Sequence, residues 1–164
     1  LAVFNTLKHF KIPEISIKWP NDIMSRSKKC CGILIENMVK GDLIDASVIG
    51  IGINVNEKQF KDLPLASSLR LATGNSFDVS LIFEVLLQQL KIQLTRLDNQ
   101  DFESIFKSYN KDLFRLDTVA VYSTKSSQPF NAILRGVTKS GLLILEDEAS
   151  NQKNYNLKEI KFHL

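Results

Sequence analysis

Short apolar runs separated by polar turns fill the first third of the chain, and they predict one helix followed by several strands. Apolar residues recur at helical spacing over residues 1–10, and Pro13 ends that pattern. Residues 15–17 alternate as a strand does and lead into a turn at Pro20-Asn21-Asp22. The apolar runs 30–35 and 44–53 flank Gly41-Asp42, and together they predict a β-hairpin.

The middle of the chain predicts a long loop followed by two helices. Residues 55–79 are polar and irregular, and a connection of this length inside a compact domain is often functional. A strong helical pattern runs from Leu81 to about Leu97, with Asp78 or Ser80 available to cap it. A second helix is predicted to begin near Asp101.

After Asp112 the pattern changes to short strands divided by turn residues. The strands are predicted at residues 119–122, 132–134, 142–145 and 154–157. Ser140-Gly141 is a clear hairpin signal between two of them. Strands that follow a run of helices indicate a separate small β-domain, so we expect one domain over residues 1–112 and another over 113–164.

Composition narrows the class of protein. The 164 residues are 44% hydrophobic and 24% charged, as in an ordinary soluble globular protein. A net charge of +3 falls short of the basic stripe of a nucleic-acid binder, and no apolar run is long enough to predict a membrane span. The adjacent Cys30 and Cys31 predict two reduced, buried thiols in a cytoplasmic protein. The chain begins at Leu1 as though inside a helix, and we expect it to be a piece of a longer protein.

The segment Gly50-Ile51-Gly52-Ile53-Asn54 is the first candidate for chemistry. Alternating glycines leave one face of a strand bare, which suits either a flat ligand or a closely packed helix; both interpretations stay open. Asn54 offers a donor and an acceptor at the end of the strand. The segment is not a dinucleotide-binding fingerprint, because no third glycine opens a helix after it.

Two further segments carry charge beside small or rigid residues. Lys18-Trp19-Pro20-Asn21-Asp22 is, by turn chemistry alone, a locally hydrogen-bonded turn with Trp19 in the core. Lys29 precedes the small residues 30–32, where its ammonium could neutralise a bound carboxylate or phosphate. The neighbouring Lys28 is predicted to be a solvated lysine at the strand end.

Taken in order, KWPND (residues 18–22), the K-x-small-G-I-L-x-E strand (29–36) and the I-G-x-G-I-N strand (49–54) resemble biotin protein ligases. The resemblance covers the whole chain. It implies an α+β fold: a mixed sheet with helices on one side, similar to class II aminoacyl-tRNA synthetases and truncated at the N-terminus, followed by a small SH3-like β-barrel.

The resemblance implies an ATP-dependent ligase that forms biotinyl-5′-adenylate and passes biotin to a lysine of a biotin carboxyl carrier protein domain. The cofactors and substrates implied are biotin, ATP and magnesium, with no protein metal ligand assigned. Lys29 and Asp22 are the implied catalytic residues, and Phe60 is a candidate to cover adenine. The implied biotin contacts are Lys29, Leu34, Gly50, Gly52 and Ile53, and the implied adenylate contacts are Asn21, Lys29 and Asn54.

The chain departs from the family pattern in lacking the arginine- and glycine-rich biotin loop that normally precedes this region. We therefore expect this chain alone not to ligate biotin. The resemblance also allows a homodimer. Two alternatives stay open: a lipoate ligase or octanoyltransferase with the same fold, and a non-catalytic binding module.

Overall fold

The structure is a computed structural model that describes residues 1–125 and 127–164. These residues form two compact units, one of Ala2–Gln89 and one of Leu90–Leu164 together with Leu1. Each unit contains helices and an antiparallel sheet. The predicted α+β class is confirmed.

The first unit is built on a four-stranded antiparallel sheet in the order β1-β2-β3-β4. Its elements are α1 (Ala2–His9), β1 (Ile15–Lys18), β2 (Asp22–Ser25), β3 (Lys28–Lys40), β4 (Leu43–Ile53), α2 (Leu69–Thr73) and the start of α3 (Val79–Asp98). An isolated parallel bridge between Lys29 and Ala66 joins the long connection to β3.

The predicted first helix and the β3–β4 hairpin are confirmed. Gly41 lies in the hairpin turn at φ +62°, a conformation that glycine adopts without steric cost. The short strand β2 directly after the turn was not predicted. The connection over residues 55–79 contains α2, so it is more ordered than the sequence suggests.

One face of the sheet forms the core of the first unit. The cross-strand partners Ile17 and Ile23 are buried on this face, and α1 contributes buried apolar side chains. Burial of these side chains supplies the main free energy that holds the helix to the sheet. The outer half of the hairpin is exposed, with large apolar side chains accessible at Leu34, Ile35, Met38, Val39, Leu43, Ile44, Val48 and Ile49.

Both predicted long helices are confirmed, and the cap of α3 is resolved. Asp78 Oδ1 accepts hydrogen bonds from the backbone N–H groups of Ser80 (2.8 Å) and Leu81 (3.4 Å), so Asp78 is the capping residue. The second long helix, α4, spans Phe102–Lys111. Among the described residues no helix combines the length and the apolar character needed to cross a membrane.

The second unit carries a five-stranded antiparallel sheet in the order β8-β7-β6-β5-β9. The strands are β5 (Val119–Thr124), β6 (Phe130–Val137), β7 (Leu143–Glu146), β8 (Gln152–Tyr155) and β9 (Ile160–Phe162). The predicted turn at Ser140-Gly141 is confirmed between β6 and β7, while β9 was not expected. The SH3-like barrel and the boundary at residues 112–113 stay predictions.

Candidate functional site

A row of four residues crosses the whole sheet of the first unit. Lys18 pairs with Asp22, Asp22 with Gly32, and Gly32 with Gly52. Directly opposed residues in antiparallel strands project to the same face, so this row defines one surface of the sheet. The next row consists of Ile17, Ile23, Cys31 and Ile53, and the first three of these are buried against the core. The polar row therefore lies on the face opposite the core.

A β-bulge brings Lys29 to this polar face. In a regular strand, Lys29 and Gly32 would point to opposite faces because they are three residues apart. The pairing of β2 with β3 shifts between Ile23 and Met24, so that Met24 lies opposite Lys29. The extra residue in β3 turns the Lys29 side chain to the same face as Gly32. Lys29 Nζ lies 3.0 Å from the position that a Gly32 Cβ would occupy.

Asp22 lies between two lysine side chains. Lys29 Nζ is 2.6 Å from Asp22 Oδ1, and Lys18 Nζ is 3.6 Å from Asp22 Oδ2. Asp22 and Lys18 are mostly enclosed, with side-chain exposures of 17% and 19%, whereas Lys29 is 46% exposed. Two ammonium groups around one carboxylate leave a net positive charge, so the cluster can accept a further anion.

Glycines form a bare surface next to the charged cluster. A Cβ added to Gly50 or Gly52 would meet nothing closer than 3.8 Å, and both residues are exposed. Leu34 lies opposite Gly50 on β3 and is 61% exposed. The polar face therefore continues from Lys29 over Gly32 onto an open floor with one apolar side chain. Such a floor admits a flat ligand against the backbone.

The KWPND turn is fastened to β3 through Asn21. Its Nδ2 donates to the carbonyl of Ile33 at 2.6 Å, and its own carbonyl accepts from the Ile33 N–H at 2.9 Å. Trp19 is buried and precedes a cis Trp19-Pro20 bond. The turn thus holds Asp22 at the head of β2, and the Asn21 amide is engaged with backbone in the structure.

Asn54 connects the end of β4 to the long connection. Its side-chain Nδ2 donates to the Ser67 carbonyl at 3.0 Å, and its backbone carbonyl accepts from the Leu69 N–H at 3.0 Å. Lys29 is held by the same segment, because its N–H donates to Leu65 O and its carbonyl accepts from the Ser67 N–H, each at 2.8 Å. The backbone of Lys29 is therefore fixed on both sides, while its side chain remains accessible.

The cysteines beneath Lys29 are free thiols and are buried, as the sequence predicts. Burial raises the pKa of the Cys30 thiol to about 11. Burial also raises the pKa of Cys31, to about 12. Both therefore stay protonated near neutral pH, and they serve as packing residues rather than nucleophiles.

The structure brings most of the predicted site together. Lys29, Asp22, Gly50, Gly52 and Leu34 share one face of the sheet. Ile53 pairs with Cys31, so its side chain points to the face opposite Gly50 and Gly52. Phe60 is half-buried in the long connection.

Two further residues of the site received no assigned role from the sequence, although both lie in segments that it singled out. Gly32 provides the space over which the Lys29 ammonium lies. Lys18 holds the second oxygen of Asp22, and its four-residue spacing from that carboxylate was the available signal.

Comparison with known proteins supports the resemblance. Residues 1–54 match the model of the biotin/lipoate A/B protein ligase family. The chain is 30% identical over 148 residues to the bifunctional ligase/repressor BirA of Bacillus spizizenii, covering 87% of the chain and 45% of that relative. It is 28% identical over 143 residues to the biotin–[acetyl-CoA-carboxylase] ligase of Paracoccus denitrificans, covering 84% of the chain and 59% of that relative. The chain thus spans about half the length of the curated relatives it matches.

Solved structures agree on the fold. The apo structure of biotin protein ligase from Aquifex aeolicus has a TM-score of 0.78 and 22% identity, covering 99% of this chain and 71% of that one. The same enzyme in complex with biotin and ATP has the same TM-score and identity and is covered over 67% of its length. Sequence and fold together confirm the resemblance to biotin protein ligases.

Proposed function

We propose that this relative of the biotin protein ligases belongs to an enzyme that activates biotin with ATP and transfers it to a lysine of a carboxylase carrier domain. The observation that carries the proposal is the Lys29 ammonium, paired with Asp22 and exposed over a glycine floor. Activation brings two anions together, the biotin carboxylate and the α-phosphate. A fixed cation between them lowers the barrier most, because it stabilises charge where the two anions react.

The proposed roles follow the geometry of the polar face. Lys29 binds both the biotin carboxylate and the phosphate, since its side chain reaches out from a clamped backbone. Gly50 and Gly52 lie against the biotin rings, and Leu34 provides an apolar wall beside them. The apolar wall implied at Ile53 does not fit this arrangement, because Ile53 follows Gly52 on β4 and its side chain points to the opposite face of the sheet. The carboxylate attacks the α-phosphorus and pyrophosphate leaves.

Asn54 and Asn21 are proposed on the adenylate side. Asn54 is half-buried where the long connection passes Lys29, which is the position from which a covering segment would reach the nucleotide. Among the described residues no group of three carboxylate, histidine or cysteine side chains could hold a metal ion. Magnesium is proposed to arrive on the phosphates of ATP, because Mg²⁺ commonly keeps several waters and binds through substrate phosphates.

The proposed macromolecular partner is a biotin carboxyl carrier protein domain. Its lysine amine would approach Asp22, which lies beside Lys29 and can accept a hydrogen bond from the incoming amine once Lys29 has turned to the adenylate. A homodimer is proposed as well, since β4 is an edge strand of the described sheet and the outer hairpin carries exposed apolar side chains. Sedimentation velocity would reveal a dimer directly. A cytoplasmic location stays a prediction.

The test of the function is substrate choice by the complete protein. Biotin or lipoate is offered with ATP and magnesium, and pyrophosphate release is measured. We expect release with biotin. Release with lipoate alone would transfer the chain to the lipoate branch of the same family, and release with neither would favour a non-catalytic module.

Lys29→Ala is the matching mutational prediction. We expect this change to abolish biotin-dependent pyrophosphate release and to leave thermal unfolding nearly unchanged, because the side chain is half-exposed. Lys28→Ala is the control, since Lys28 is the neighbouring exposed lysine. Near-normal turnover of Lys29→Ala would reduce Lys29 to a solvated residue at a strand end.

A further inference from the structure

Lys18 is the second lysine that contacts Asp22 on the polar face. Lys18 and Asp22 lie directly opposite each other on β1 and β2, and their charged groups are 3.6 Å apart. Both side chains are mostly enclosed, and Lys18 approaches Asp22 at Oδ2, whereas Lys29 approaches it at Oδ1. The two lysines therefore divide one carboxylate between them.

Lys29 is the member of this cluster that can move. Its side chain is 46% exposed, while those of Lys18 and Asp22 are below 20%. In the structure Lys29 Nζ forms an ion pair with Asp22 Oδ1 at 2.6 Å, so an incoming anion competes with Asp22 for this ammonium. Leaving a mostly enclosed carboxylate without a partner is costly, so the exchange depends on what remains beside Asp22.

We propose that Lys18 is a positioning residue. It stays paired with the Asp22 carboxylate and holds it in place when Lys29 turns to the substrate anions. The Lys18 ammonium remains beside Asp22 Oδ2, so the carboxylate still has an ion-pair partner when Lys29 departs. The departure therefore costs little electrostatic stabilisation. Without Lys18, Asp22 competes with the substrate for the only other ammonium of the cluster. This inference rests on the proposed function for the identity of the substrate anions, and on the geometry alone for the exchange itself.

The exchange predicts a specific coupling between two substitutions. In the complete protein, Lys18→Met should lower the rate of biotin-dependent pyrophosphate release about tenfold, which corresponds to about 1.4 kcal/mol. Lys18→Arg should restore most of the rate, since it keeps the charge. In an Asp22→Asn background, Lys18→Met should change the rate by less than about twofold, because no carboxylate then competes for Lys29.

A binding measurement tests the same exchange without catalysis. Inorganic pyrophosphate is titrated into each variant by calorimetry, with Lys29→Met as the variant that loses the anion site. We expect Lys18→Met to weaken pyrophosphate binding about tenfold with Asp22 present and less than about twofold in the Asp22→Asn background. Lys28→Met, which removes an exposed neighbouring charge, should leave both readouts unchanged.

The outcomes separate this inference from the proposed function. An equal loss of affinity from Lys18→Met in both backgrounds would overturn it, because Lys18 would then act only through the general electrostatic field. No saturable binding of pyrophosphate to the wild type would also overturn it. If pyrophosphate binds with the expected coupling but biotin and ATP give no turnover, the positioning role stands and the proposed function fails.

Discussion

At the scale of single residues, Gly32 is the position on which the placement of Lys29 depends. A Cβ at Gly32 would lie 3.0 Å from Lys29 Nζ and 3.1 Å from Lys29 Cε, closer than side chains normally pack. The obstructing atoms are the end of a flexible side chain, so the strand can tolerate the change by displacing the ammonium. The fold and the site therefore respond differently to one methyl group.

We expect Gly32→Ala to lower biotin-dependent pyrophosphate release at least tenfold while the unfolding free energy stays within about 1 kcal/mol of wild type. Urea titration measures stability, and a crystal structure of the variant measures the distance from Lys29 Nζ to Asp22 Oδ1. An unchanged 2.6 Å pair together with normal turnover would refute the importance of this space.

The buried thiols give a prediction about pH at the same scale. The pKa of Cys30 is raised from 9.0 to about 11 and that of Cys31 to about 12, in both cases chiefly by burial. Above about pH 9 the unfolded chain loses these protons and the folded chain keeps them. The stabilisation is therefore complete below pH 9 and is lost as pH rises toward 11.

The measurement is the unfolding free energy in urea between pH 7 and pH 10.5. We expect it to fall above pH 9 in the wild type and to fall less steeply in Cys30→Ala and in Cys31→Ala. Iodoacetamide should modify neither thiol of the folded protein at pH 8 and both in denaturant. Rapid alkylation of the folded protein would contradict the burial.

At the scale of elements, the short helix α2 holds the long connection in place. Ser68 is fully buried at its N-cap, where Oγ accepts from the Leu71 N–H at 3.0 Å and donates to Glu57 O at 2.6 Å. The segment just before it, over residues 65–67, makes the backbone bonds to Lys29. A side chain outside the polar face thus supports the backbone of the site.

We expect Ser68→Ala to lower the unfolding free energy by about 1–2 kcal/mol, because it removes the N-cap of α2 and the hydrogen bond from Ser68 Oγ to the Glu57 carbonyl. The control is Ser76→Ala, an exposed serine of the same connection. Hydrogen exchange at the Lys29 and Ser67 amides should accelerate in the first variant alone. Equal stability of the two variants would show that α2 forms without its cap.

Long elements could be predicted from the sequence, whereas the shortest elements and the bulge could not. The long helices and the β3–β4 hairpin follow from periodicity, and the residue types of KWPND and the glycine strand indicate an anion site beside a bare face. Periodicity of two could not place Lys29 with Gly32, because the bulge at Ile23 reverses the parity between them. Elements of three to five residues, such as β2, α2 and β9, are stabilised by partners distant in sequence and leave little local signal.

At the scale of the whole molecule, the second unit joins α4 to the five-stranded sheet through Asn110. Its Oδ1 accepts from the Val137 N–H at 2.8 Å, and its Nδ2 donates to Phe106 O at 3.1 Å. Glu103 and Lys139 form an ion pair at 3.5 Å in the same region. A fragment of residues 113–164 would lack these partners, so we expect residues 90–164 to fold with greater stability than 113–164 does.

Gly136 provides the sharpest test of this junction between helix and sheet. It adopts φ +140°, and a Cβ added there would lie 2.6 Å from Asn110 Oδ1, a distance that forces something to shift. We expect Gly136→Ala to lower the unfolding free energy by about 2–4 kcal/mol, since backbone strain adds to the steric conflict. The matched control is Gly141→Ala, which shares a positive φ of +85° but meets nothing within 4 Å, and should cost about 1–2 kcal/mol.

A second substitution separates the backbone strain at Gly136 from the steric conflict with Asn110. Asn110→Ala removes the obstructing oxygen, so Gly136→Ala should cost about as little as Gly141→Ala in that background. Urea titrations of the four combinations of Asn110→Ala and Gly136→Ala give the coupling free energy. A coupling near zero would mean that the Asn110 side chain moves away from residue 136 without cost, and the strain of the positive φ would then account for the whole loss of stability.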